Sequence, residues 1–222
     1  MDWQALWLSL RLAGFTLLVL IPAAVVVGRW LAVTRLRGKP LIEAALALPL
    51  VLPPTVLGFY LLGAFGPDSL IGGTWHSFFG QPLVFTFEGL LIASVIVNIP
   101  FAVQPVQRAF EAIAPELREA AATCGLGLWR LLWRIELPLA WPGILTGIVL
   151  TFAHTLGEFG VVLMVGGSIP GETRTVAIAI YDRVQAFDDA AAGRMSALLL
   201  VISLITIMVG YLLTARLGRR HG

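Results

Sequence analysis

Charged residues are scarce in this chain. They make up 13% of its 222 residues, against about 25% in soluble globular domains. The mean hydropathy is +0.89. This composition excludes an ordinary soluble fold and predicts an all-α integral membrane protein forming one domain over 1–222. Cysteine is nearly missing: Cys124 alone excludes an internal disulfide. The histidines His76, His154 and His221 are scattered, with no H-E-x-x-H pattern, and no G-x-x-x-x-G-K-[ST] is present. The chain therefore carries neither a zinc-protease site nor a nucleotide-hydrolysing loop of its own. No cofactor or metal is expected. Internal repeats are also lacking, which speaks against a secondary carrier. No cleaved leader is expected, since the first apolar run is too long and no A-x-A site follows basic residues.

What the chain has is long apolar runs. About 20 residues cross a bilayer core as a helix. Five stretches suffice: 6–27, 41–65, 87–106, 139–165 and 195–213. Trp3 and Trp7 suit an interfacial belt, and Arg11 is close enough to its span end to reach water. Segment 176–187 is too short to span and carries Asp182 and Arg183, so it is expected as an amphipathic helix on one face. Segment 66–85, with Pro67, Asp68, Gly72, Gly73, Gly80 and Pro82, is expected as a loop.

Polar and helix-breaking residues inside these runs are the candidates for function. The second run holds Pro49, Pro53 and Pro54, which must break or distort its helix. Non-helical backbone at membrane depth survives only against protein or a wet cavity, so Pro53, Pro54 and Thr55 are candidates for a pathway wall; a kinked packing helix is the plainer alternative. Asn98, beside Pro100 in the third run, is a second candidate. In the fourth run Thr151, Thr155 and Glu158 fall at i, i+4 and i+7 and share one helical face. A polar stripe of this kind turns towards protein rather than lipid. His154 beside it is expected to be a packing histidine. Glu172 and Arg174, in the polar segment after the fourth run, are candidate contacts on the outer face.

Basic residues orient the chain. Of 15 Lys and Arg, one side of a five-span arrangement receives Arg29, Arg35, Arg37, Lys39, Arg108, Arg118, Arg130, Arg134, Arg216, Arg219 and Arg220. The other receives Arg11, Arg174, Arg183 and Arg194. The richer side is expected to be cytoplasmic, which puts the N-terminus outside and the C-terminus inside.

The loop 109–138 then lies inside. Its charges, Glu119, Arg130, Arg134 and Glu136, keep it out of hydrocarbon, where each costs about 2.5–3.5 kcal/mol. Pro115 suits a helical first turn, residues 116–123 are good helix formers, and Gly125 and Gly127 permit a turn. A second short helix is expected over 128–137, ended by Pro138. Glu119-Ala120-Ala121, three residues, Gly125, nine residues, then Ile135-x-Leu137-Pro138 resembles the cytoplasmic signature of ABC importer permeases, without departure.

That resemblance implies a type I importer permease fold whose loop 115–138 docks on a separate ATPase. Ala120, Ala121 and Ala122 would allow close approach and Gly125 the bend. The residues Leu48-Pro49-Leu50-Val51-Leu52-Pro53-Pro54-Thr55-Val56-Leu57-Gly58, Leu156-Gly157-Glu158-Phe159-Gly160 and Ile169-Pro170-Gly171-Glu172-Thr173-Arg174-Thr175 are similar to the molybdate branch. Sulfate/thiosulfate permeases are similar over Gly157-Glu158-Phe159-Gly160 and match residues 170–175 less well. The resemblance implies transport of molybdate, with tungstate as an analogue, across a bacterial inner membrane. Its partners would be a second copy of this chain, two ATPase subunits, a periplasmic oxyanion-binding protein and lipid, with no nucleic acid. A channel or secondary carrier would not need the docking loop.

Overall fold

The computed structural model describes residues 1–218, with side chains to residue 214. Arg219 and Arg220 of the charge count lie outside the described residues. Among the described residues the regular structure is helical throughout.

α1 (Trp3–Val33) starts on Asp2, whose side chain accepts from the Ala5 amide, an N-cap worth about 1 kcal/mol. It absorbs Pro22 and runs on past residue 27, so Arg29 is helical rather than part of a connecting loop. α2 (Lys39–Val51) and α3 (Pro54–Phe65) are the two halves of the proline-rich run, bent by 108°. Leu52 and Pro53 are extended, as the pre-proline position favours.

The segment expected as a loop after α3 contains α4 (Leu70–Phe79). Ser69 caps it by accepting from the Gly72 amide, Gly80 ends it in a left-handed conformation, and Trp75 stacks on Phe79 at 4.1 Å. These local terms outweigh the glycines that argued against a helix.

α5 (Phe87–Glu111), capped by Thr86, runs through the middle of the bundle. Its buried Ala102, Val103, Val106 and Phe110 pack with Leu20, Ala24 and Leu31 of α1 and with Ala140 and Ile144 of the fourth apolar run. Small residues at such crossings let membrane helices approach, because lipid supplies no hydrophobic drive between them.

After α6 (Pro115–Thr123) and α7 (Leu128–Leu131), a π-helical turn (Leu132–Glu136) leads without a break into α8 (Leu137–Gly157). Pro138 therefore does not end a helix, contrary to expectation. A proline lacks an N–H and crowds the carbonyl four residues back; the widened π turn just before it relieves that conflict. Leu137 donates to the carbonyl of Leu132, five residues back.

The fourth apolar run is not one helix either. α8 stops at Gly157, Glu158 is extended (φ −69°, ψ 124°), and α9 (Gly160–Gly166) follows. α10 (Val176–Gln185) is the expected short helix, burying Val176, Ile178 and Ala179. α11 (Asp189–Gly218) is largely exposed along its apolar length, a surface that lipid would cover.

Among the described residues four helices are long and apolar enough to span, and there is a fifth span if α2 and α3 together form one bent crossing. The two ends of the bundle are tied by different contacts. Asp2 pairs with Arg174 at 3.1 Å, whereas Arg29 pairs with Glu136 at 2.6 Å at the opposite end of α1.

Candidate functional site

The polar elbow is built around one helix end. α6 closes on a Schellman motif: Gly125 donates to Ala122 and Leu126 to Ala121, both at 3.0 Å. Gly125 has φ +71°, a conformation that costs other residues about 1–2 kcal/mol. Gly127 is extended and starts α7. Glu119, Ala120 and Ala122 face solvent, and Ala121 is the one buried residue of α6. Pro138 is exposed, while Ile135 and Leu137 are half-buried. The elbow thus presents Glu119 and two small residues outward, a surface another protein can approach closely.

Glu136 behaves differently from the other charges of this loop. It is fully buried. Its Oε2 accepts from Arg29 Nε at 2.6 Å and its Oε1 from Arg118 Nε at 2.8 Å; Arg118 Nη2 also donates to the Phe110 carbonyl at 2.8 Å. Two cations satisfying one buried carboxylate explain how it leaves water. In the sequence Glu136 shows only as a charge that bars the loop from hydrocarbon. Its partners are 107 and 18 residues away, and no periodicity reports them.

A second polar group runs between the helices. Thr16 and Ser94 share a hydrogen bond of 2.9 Å; Asn98 Nδ2 donates to the Ser94 carbonyl at 2.8 Å. This turns Asn98 Oδ1 to His154 Nδ1 at 3.1 Å. A carbonyl oxygen only accepts, so Nδ1 is the donor and Nε2 is left towards Glu158 Oε2 at 3.7 Å. His154 also stacks on Phe101 at 4.0 Å. It is therefore held by Asn98 and by the Phe101 ring, as a packing histidine would be. Thr16 and Ser94 join this group without having been candidates.

The expected stripe holds for Thr151 and Thr155, both buried in the bundle, with Thr155 Oγ1 donating to the Thr151 carbonyl at 2.8 Å. Glu158 departs from it. Past the end of α8, its Oε1 accepts from the Val161 amide at 2.9 Å and caps α9. Pro53, Pro54 and Thr55 are exposed at the break between α2 and α3. Glu172 is exposed, and Arg174 pairs with Asp2.

This architecture defines a multi-pass helical membrane subunit with one protruding elbow. The same fold occurs in a bacterial ABC transporter that imports the acidic polysaccharide alginate, with TM-score 0.78, 17% identity and coverage of 96% of this chain and 78% of that one. It also occurs, with TM-score 0.76 and 18% identity, in the alginate transporter in complex with its pentasaccharide-bound periplasmic protein. The chain belongs to the family of binding-protein-dependent transport system inner membrane components, which matches residues 20–221. It is 47% identical to the molybdenum transport system permease protein ModB of Azotobacter vinelandii, covering 95% of this chain and 93% of that protein. It is 36% identical to ModB of Escherichia coli K12, covering 99% and 96%. The sulfate transport system permease protein CysT of the same organism is 34% identical, covering 84% and 67%.

Proposed function

We infer that the chain is the membrane permease of an ATP-driven importer that carries molybdate, with tungstate as an analogue, into the cell. One observation carries the substrate: 47% identity to a molybdenum permease along 95% of the chain, against 34% over 84% for a sulfate permease. The chain itself is not an enzyme in this reading; a separate ATPase hydrolyses ATP. Two copies of the chain enclose the path, two ATPase subunits attach from inside, and a periplasmic oxyanion-binding protein delivers the anion from outside. The N-terminus lies outside and the elbow inside.

The elbow at 115–138 would be the ATPase contact. Glu119, Ala120 and Ala122 are exposed there, on a helix that buries a single residue, and Gly125 is exposed in the turn that follows it. Residues Pro53, Pro54, Thr55, Asn98, Thr151, Thr155 and Glu158 are the path candidates. Weak hydrogen-bonding groups suit an anion that must also leave. Glu172 and Arg174 are the candidates for contact with the binding protein or the second copy.

The test is uptake of labelled molybdate, tungstate and sulfate by vesicles holding the chain with its ATPase and binding protein. ATP-dependent molybdate uptake that sulfate does not compete away is expected. Preferential sulfate uptake would reassign the substrate, and uptake without ATP would mark a carrier or channel. Glu119→Lys should leave the chain inserted and detach the ATPase; retained binding would refute the docking surface.

A further inference from the structure

α6 is weakly held for a helix that must receive force. Of its nine residues only Ala121 is buried. Its polar attachment to the rest of the chain is Arg118, which donates to Glu136 Oε1 and to the Phe110 carbonyl. Glu136 is the last residue of the π turn that leads into α8, and its other oxygen takes Arg29 near the end of α1. One buried carboxylate thus joins the elbow helix, the end of α1 and the start of α8. π turns are rare and recur at functional sites.

We propose that Glu136, with Arg118 and Arg29, is a positioning clamp that carries displacement of α6 into α1 and α8, and so makes transport follow ATP hydrolysis. A partner that pushes α6 moves Arg118. The short charge-assisted bonds then draw Glu136, and the π turn and α8 move with it. Arg29 passes the same displacement to α1. Without the clamp, α6 moves alone, and hydrolysis proceeds without passage of the anion. The inference rests on α6 being the ATPase contact, which Glu119→Lys tests separately by loss of ATPase binding.

The experiment compares molybdate uptake with ATP hydrolysis in proteoliposomes of the complete complex. Arg118→Gln is the main variant: it sits at the surface side of the clamp, 22% exposed, and leaves Glu136 paired with Arg29. Glu136→Gln is the second. Each should keep the ATPase bound and hydrolysing, while uptake per ATP falls at least tenfold. Arg118→Lys, which keeps the charge, should recover part of that ratio. Arg35→Gln, an exposed charge in the turn after α1, controls for net charge. An unchanged ratio in Arg118→Gln overturns the proposal. So does a parallel fall of uptake and hydrolysis, which a merely structural staple would produce. If both variants shed the ATPase, the clamp is a docking brace and the proposal falls as well.

Discussion

Gly160 lies against Pro54 so closely that a Cβ on the glycine would come within 2.7 Å of the proline Cβ. The two residues open α9 and α3, so each follows the break in its own apolar run. Two interruptions that are distant in sequence therefore meet. Glu158 caps one side of this junction through the Val161 amide, and exposed Pro53 flanks the other. Backbone left unpaired at membrane depth needs such protein neighbours.

Gly160→Ala should therefore be costly. A proline ring cannot rotate away as a flexible side chain would, so the two helices must separate. Overpacking of this kind costs about 1–3 kcal/mol. The thermal midpoint in detergent should fall clearly below that of the parent. Gly14→Ala is the control, because nothing lies within 4 Å of its added methyl; helix propensity alone should then leave its midpoint equal or higher.

How much of this was legible depended on the range of the cause. Apolar length announced the long helices, and three prolines announced the bend between α2 and α3. The break at Glu158 carried no such mark, since Leu156-Gly157-Glu158-Phe159-Gly160 contains no proline. It arises from a side-chain cap and from packing on Pro54, both tertiary events. α4 escaped notice because its glycines look like loop residues, whereas its stability comes from Ser69 and the Trp75–Phe79 stack. The elbow was legible in the spacing of Glu119, Gly125 and Pro138. The burial of Glu136 was not, because it needs Arg29 and Arg118 to arrive from elsewhere.

Gly125 separates the two halves of the elbow in a measurable way. Alanine can occupy φ +71° at a cost of about 1–2 kcal/mol, so Gly125→Ala should weaken ATPase binding modestly. Proline holds φ near −65° and would also lose the amide bond to Ala122. Gly125→Pro should abolish co-purification of the ATPase while the chain still inserts. Equal binding by both variants would show that the turn does not shape the contact.

Asp2 does two jobs with its two oxygens: Oδ1 caps α1 through the Ala5 amide and Oδ2 pairs with Arg174. Asp2→Asn keeps a capping oxygen and loses only the pair, which is partly exposed and worth less than about 1 kcal/mol. Asp2→Ala also loses the cap, worth about 1 kcal/mol. The midpoint should fall in the order parent, Asn, Ala, and high salt should narrow only the first interval. Arg174→Ala should resemble Asp2→Asn in stability. A larger loss of uptake than Asp2→Asn shows would place Arg174 in contact with the delivering protein.

Thr151 offers the sharpest test of the path. Its hydroxyl is buried and has no hydrogen-bond partner among the described residues, whereas its carbonyl serves Thr155. A buried polar group left unpaired costs about 1–3 kcal/mol. Thr151→Val replaces that hydroxyl with a methyl of similar size and should raise the thermal midpoint if packing is the residue's only role. Uptake should then be unchanged. If Thr151 faces the passing anion in the assembled transporter, the same substitution removes a donor, and molybdate uptake should fall although the protein has become more stable. Thr155→Val should separate from it: that hydroxyl is spent on the Thr151 carbonyl, so stability should drop slightly. Stability and transport moving in opposite directions at 151, and together at 155, would mark Thr151 as a lining residue; a raised midpoint with unchanged uptake at 151 would return it to the core.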